Sequence, residues 1–304
     1  MLKKIIYTTL LSSLLSAQSL EPRLYSNAPK DLNFLVLAYA HTQGALSDTP
    51  ALGLKDADLG VNIAVLAYAR FFNIAGNSAK FDIVVPTVSI SGQALLYDKS
   101  SNTYESVSRE VSGLGDVKTR LSYNFFGAPS LSLKEFSSYK QNTIVGASVQ
   151  VTIPTGKYEA DKLVNISAHR WAIKPGFGIS QVVKDFIIEF DVDAEFYSAN
   201  KEFLGSIKRE QEVLYSTQTH VIYNIMKGMW IGADANYFFG GEHTNNGVKA
   251  NDELKNSRYG ATFSLPFNRY SSMKISASRG VITRVGTDFD LIGVNLQYRF
   301  GAGL

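Results

Sequence analysis

The chain has 304 residues, a net charge of +3, 45% hydrophobic and 12% aromatic residues, 24 glycines and no cysteine. The small net charge supplies no basic field for nucleic acid, and the missing thiols exclude cysteine nucleophiles and cysteine-held metals. Beyond the amino terminus, no continuous run of about 20 apolar residues occurs, which excludes a helical inner-membrane protein.

Lys3 and Lys4 precede an apolar run from Ile5 to Leu15 and then the small residues Ser16, Ala17 and Ser19. A basic start, a short apolar segment and a small-residue exit predict a secretory signal peptide over 1–19. Cleavage after Ser19 places Ala17 at the upstream recognition position, a better fit than cleavage after Ala17. Loss of the two lysines brings the net charge from +3 to +1. Residues 20–31, with Pro22 and Pro29, read as a periplasmic lead.

Strands are predicted near 32–41 and 58–71, apolar on both parities and therefore open in register. The third, near 81–91, lines up Phe81, Ile83 and Val85, after which Val88 and Ile90 take the opposite phase. Pro86 sits at the change, and a missing backbone donor at a phase slip predicts a bulge. From there the alternation is regular. Near 116–125 Val117, Thr119, Leu121, Tyr123 and Phe125 oppose Asp116, Lys118, Arg120, Ser122 and Asn124. Near 186–196 the apolar parity carries Phe186, Ile188, Phe190, Val192 and Phe196, against Glu189, Asp191, Asp193 and Glu195. Similar strands fall near 143–153, 168–180, 213–225, 229–240, 257–267, 273–281 and 288–300, twelve in all. Successive strand side chains point to opposite faces. A dozen such ribbons with no apolar helix between them predict an all-β, transmembrane, antiparallel up-and-down β-barrel, oily outside and polar inside.

The spacing of connections gives a second argument. Long ones alternate with tight ones at 181–185, 226–228 and 268–271, as expected for a barrel with both termini in the periplasm. The exception is 127–142, long where a turn is expected and able to hide a miscounted pair. The barrel is expected over 32–300 with a tail at 301–304. The closing strand, ending at Tyr298 and Phe300, is similar to the signal read by the barrel-assembly machinery, although that signal usually ends on the aromatic residue itself.

On the parity assigned to the lumen lie Lys118, Arg120, Arg170, Lys174, Glu189, Asp191, Asp193, Glu195, His220, Asp234, Arg258, Lys274 and Arg299. Opposed charge ladders in a narrow barrel either hold the interior together by ion pairs or line a watery path. Arg120, Arg170 and Lys174 facing Glu189, Asp191 and Asp193 would set up a field across that path. A kink at Pro86 would offer a lateral window towards lipid. Aromatic pairs such as Tyr123/Phe125 and Tyr237/Phe239, with Trp171 and Tyr298, fit girdles at the two lipid interfaces.

The four histidines, His41, His169, His220 and His243, lack metal-ligand spacing, so no metal is predicted. The acidic and amide groups near Asn245, Asn246, Asn251, Asp252 and Glu253 read as a solvated loop, with a cation bridge to lipopolysaccharide as the alternative. His243-Thr244-Asn245-Asn246-Gly247 resembles the His-x-Ser-Asn-Gly motif of outer-membrane phospholipase A. Asparagine stands at the serine position, and an amide cannot serve as the acyl-accepting nucleophile.

Several landmarks recur in order. Gly113-Leu114-Gly115-Asp116 leads a strand, and Ile153-Pro154-Thr155-Gly156-Lys157-Tyr158 ends one. Gly240-Gly241, Arg258-Tyr259-Gly260, Ser278-Arg279-Gly280 and Tyr298-Arg299-Phe300 follow. Together they resemble the family of outer-membrane transporters associated with the MetA (meta) pathway of phenol degradation. That resemblance implies a Gram-negative outer-membrane barrel passing small, often aromatic or hydrophobic molecules, and it brings no catalytic or ligand residue with it. The predicted function is a passive channel without cofactor, in contact with lipid and lipopolysaccharide, its solute unspecified. A non-conducting structural barrel and an acyl hydrolase are the alternatives.

Overall fold

A sheet with one apolar face cannot lie open in hydrocarbon, because its edge N–H and C=O groups would go unpaired. The computed structural model describes residues 20–46, 54–98, 101–282 and 287–304, and in it the sheet closes. The expected signal peptide at 1–19 lies outside the described residues.

The strands run β1 (Leu32–Leu46), β2 (Leu54–Ile74), β3 (Asn77–Asp98), β4 (Thr103–Leu114), β5 (Val117–Phe126) and β6 (Thr143–Ile153). They continue as β7 (Ala172–Val183), β8 (Phe186–Tyr197), β9 (Asn200–Phe203), β10 (Ile207–Gln211), β11 (Leu214–Met226) and β12 (Met229–Gly240). Last come β13 (His243–Asn245), β14 (Val248–Lys249), β15 (Leu254–Pro266), β16 (Ser271–Ile282) and β17 (Thr287–Gly301). All wall pairings are antiparallel, and β1 pairs with both β2 and β17, which shuts the ring. Counting β4 and β5 as one interrupted strand, both paired to β3, gives twelve wall strands.

The long 127–142 connection hides no hairpin. It carries one short helix, α1 (Leu133–Phe136), capped by Ser132 and Glu135. Its backbone also ties to the neighbouring turn, Ser130 N donating to Gly76 O at 2.9 Å and Ser78 N to Ala128 O at 2.9 Å.

Outward residues form an apolar belt. Leu37, Trp171, Phe177, Ile231, Ile292 and Leu296 are exposed, as lipid-facing side chains are in a structure without lipid. Aromatic rings cluster towards both ends of it, with Phe186–Tyr223 centroids 5.1 Å apart near one end and Tyr215–Phe239 5.2 Å apart near the other.

The expected bulge at Pro86 is absent. Pairing of β3 with β2 runs unbroken from Asp58↔Gln93 to Ile74↔Asn77, with Val65 opposite Pro86. Even-numbered β3 residues face inward throughout, and what changes at Pro86 is the surroundings. Below it the apolar parity faces lipid. Above it Val88 and Ile90 turn inward onto a buried cluster with Leu59, Val61, Val111, Ile166 and Phe289. The interruption belongs to the partner strand, between Val84↔Lys118 and Thr87↔Leu114. There Gly115 N donates to Pro86 O at 2.8 Å.

Above the wall, at the end opposite the tight turns, β9, β10, β13 and β14 form a second, four-stranded sheet. The loop expected to be solvated belongs to it. Asp252 is buried, accepting from His243 N at 2.8 Å, with His243 Nδ1 at 2.8 Å and Arg209 Nη2 at 3.6 Å.

Candidate functional site

Side chains directly opposite in an antiparallel pair share a face, so the register fixes what lines the lumen. Lys118, Arg120, Lys174, Glu189, Asp191, Asp193, Glu195, His220, Asp234, Arg258, Lys274 and Arg299 all fall on the inward parity. Arg170 lies just before β7 and is buried.

The interior is not an open bore. Of the segment read as a periplasmic lead, residues 20–25 lie inside the barrel as a strap, and 27–31 follow the tight-turn rim into β1, Asn27 Nδ2 donating to Pro129 O at 3.1 Å and Lys30 N to Leu131 O at 2.8 Å. Glu21 forms a two-oxygen ion pair with Arg120, which also donates to Gln150 Oε1 at 2.6 Å. Glu21 N donates to Gln218 Oε1 at 3.2 Å. Arg23 N donates to Glu189 Oε2 at 2.7 Å, and its guanidinium lies over the Trp230 ring at 4.9 Å and donates to Asn224 Oδ1 at 2.5 Å. The strap thus sets an acid on the basic wall and a base on the acidic wall. Periodicity could not reveal this, because an irregular segment has none; the opposite charges of Glu21 and Arg23 about Pro22 were the available signal.

Tyr25 is buried against the floor made by Gly146 and Gly178, which face each other in the β6–β7 register. A Cβ at Gly146 would come within 2.5 Å of the ring and one at Gly178 within 2.3 Å, so only glycine admits it. Its hydroxyl lies 3.2 Å from Ser148 Oγ, and Asn124 Nδ2 donates to its carbonyl at 3.0 Å.

The expected face-to-face charge ladders meet only in part. Lys174 Nζ is 3.9 Å from Asp193 Oδ2, a contact shared with Ser216 Oγ at 3.0 Å. Arg170 turns instead to Gln211 and to the Tyr197 ring, 4.4 Å away, whose hydroxyl donates to Glu195 Oε2 at 3.0 Å. Glu189 accepts from Ser180 Oγ at 3.0 Å. His220 Nδ1 and Thr262 Oγ1 hold Asp234 at 2.6 and 2.9 Å. Arg258 donates to Ser278 Oγ at 2.7 Å and to Phe289 O at 2.9 Å. Lys274 stands between Ser264 and Asn295 in the register. Arg299 belongs to the tight-turn rim, its Nε donating to Arg269 O at 2.5 Å.

The other side of the lumen is different. Val36, Ala38, Ala40, Val65, Ala67 and Ala69 face inward and are only half-buried, so a small-residue apolar wall stands open opposite the strapped, charged one. The buried apolar cluster around Val88, Ile90 and Ile166 lies above it.

His243, in the motif resembling a phospholipase, is buried against Asp252, and the residue at the nucleophile position is the buried Asn245. At Pro86 the interruption is packed shut. A Cβ at Gly115 would meet the Pro86 ring at 2.9 Å, and Gly156 covers Gly115 from the next connection.

A closed antiparallel wall, apolar without and charged within, defines the class: an outer-membrane-type β-barrel. The sequence profile of the family described as "Putative MetA-pathway of phenol degradation" matches residues 42–300, and the chain belongs to that family. The fold is similar to the crystal structure of the COG4313 outer membrane channel from Pseudomonas putida F1. That likeness has a TM-score of 0.76 and 21% identity, over 93% of this chain and all (100%) of that one. The transport unit of the autotransporter AIDA-I from Escherichia coli also shares the barrel, with a TM-score of 0.51 and 10% identity over 95% of each chain. So does the beta domain of the Bordetella autotransporter BrkA, at TM-score 0.50 and 9% identity over 89% of this chain and 100% of that one. Comparison with curated protein sequences finds no match.

Proposed function

We propose that the protein is a passive outer-membrane channel for small molecules, with a two-faced lumen suited to solutes that are part apolar and part polar. The observation carrying this reading is the pairing of a half-open alanine and valine wall with a charged wall whose partners lie partly on the strap. Membership of the phenol-degradation family and likeness to a protein described as an outer membrane channel support it. Solutes would move down their gradient beside the strap or after it yields.

The test is reconstitution in planar bilayers. A small steady conductance is expected, rising when the strap is loosened by Glu21→Ala. A barrel silent in both forms would reject the channel. The competing reading, a non-conducting structural barrel, is favoured by the strap itself, which ties β5, β6, β8, β11 and β12 together from inside.

A further inference from the structure

The strap contacts two adjoining features of the wall that would otherwise stand open to the lumen. One is a carboxylate site: Arg120 grips both oxygens of Glu21, with Gln150 beside it. Planar guanidinium is matched to this two-oxygen geometry. The other is a flat floor, where Ser148 faces Gly176 and Gly146 faces Gly178 in the β6–β7 register. An aromatic ring, that of Tyr25, already lies on it with its hydroxyl at Ser148. Glu21, Tyr25, Arg120, Ser148, Gln150 and Asp191 line one cavity.

We propose that the strap is an internal stand-in for the solute, and that Arg120, Gln150, Ser148 and the glycine floor form a subsite for a small aromatic carboxylate. The inference rests on the channel reading and names its solute class. Gln150 and Ser148 are successive inward residues of β6, hence about 7 Å apart along the strand. That step is close to the distance from a carboxylate to a hydroxyl across one benzene ring. A ring placed there would rest on glycines that present no side chain. Lys174 is paired with Asp193, Asp191 borders the same cavity and Asp82 stands opposite Arg120 in the β3–β5 register, so the anion binds by taking the place of Glu21 on Arg120 and not by adding to it.

The test uses full-length folded protein in detergent and titration calorimetry with 4-hydroxybenzoate, so binding is read without conduction. The Glu21→Ala/Tyr25→Ala double variant should bind at least about tenfold more tightly than the unaltered protein, since the internal competitor is gone. Benzyl alcohol, which has no carboxylate, should bind about tenfold more weakly than 4-hydroxybenzoate. Arg120→Lys in the double-variant background, which keeps the charge and loses the fork, should cost a similar factor. Ser148→Ala, a mild change that leaves the wall intact, should weaken 4-hydroxybenzoate but not benzoate. Equal affinity in the double variant and the unaltered protein, or indifference to Arg120→Lys and to the missing carboxylate, would overturn the subsite. A barrel that binds but passes no current would defeat the channel reading and leave the subsite standing; one that conducts and binds nothing would do the reverse.

Discussion

Asp116 Oδ1 accepts the backbone N–H of Gly156 at 3.0 Å, joining two segments forty positions apart in the chain. The same carboxylate takes Ser167 Oγ at 2.6 Å and Ala168 N at 3.2 Å. One side chain therefore pins the 154–171 connection over the interruption between β4 and β5. Two of the landmark motifs, Gly-Leu-Gly-Asp and Ile-Pro-Thr-Gly-Lys-Tyr, are the two halves of this joint. Asp116→Ala removes a charged acceptor from three donors and should cost about 2 kcal/mol locally. Limited proteolysis is expected to cut the 154–171 connection several-fold faster while the wall stays intact; an unchanged rate would show that the joint is held elsewhere.

The glycine floor makes a sharp steric prediction. Gly178→Ala places a Cβ 2.3 Å from the Tyr25 ring, and overpacking of this kind costs about 1–3 kcal/mol. The thermal midpoint should fall, and Tyr25→Ala added to the same chain should recover much of the loss. Absence of recovery would mean that the clash with the Asp191 carboxylate, not the ring, dominates.

Neutralising the acidic ladder tests the lumen as an ion path. In Asp191→Asn/Asp193→Asn, Lys174 loses its partner Asp193 and the lumen loses the Asp191 carboxylate, and the reversal potential in a salt gradient should move towards anion preference. A reversal potential that does not move would place the conducting path away from this wall.

The second sheet has its own pH response. Burial, and then the Arg209 charge, hold His243 down to about 3 from its ordinary 6.5, outweighing the pull of Asp252. A base with a depressed folded value takes up its proton more readily when unfolded, so its contribution is fully present above pH 6.5 and is lost as pH falls towards about 3. The protection factors of the β10 and β13 amides, taken relative to the intrinsic exchange rate at each pH, should therefore fall through that window. His243→Gln should flatten the response, and a response that persists in this variant would assign it to other groups.

Much of the wall was legible because lipid and lumen impose opposite demands on alternate residues. From Asp116 onward, charges such as Glu189 and Asp191 mark one face and phenylalanines the other. Legibility failed where both faces meet similar surroundings. In β1 and β2 the inner wall is itself alanine and valine, and in upper β3 the apolar phase moves inward with Val88 and Ile90. Strands as short as β13 and β14, three and two residues long, carry no period to read. The strap was missed for a related reason: Glu21, Arg23 and Tyr25 acquire meaning only through partners on five distant strands.

The position of the strap also bears on how the molecule is made. Residues 20–31 lead straight into Leu32, and β1 is the strand that meets β17 when the ring shuts. Tyr25 can therefore settle on Gly146 and Gly178 only once β6 and β7, made after the strap, stand side by side. The interior is completed by the segment that precedes the first strand.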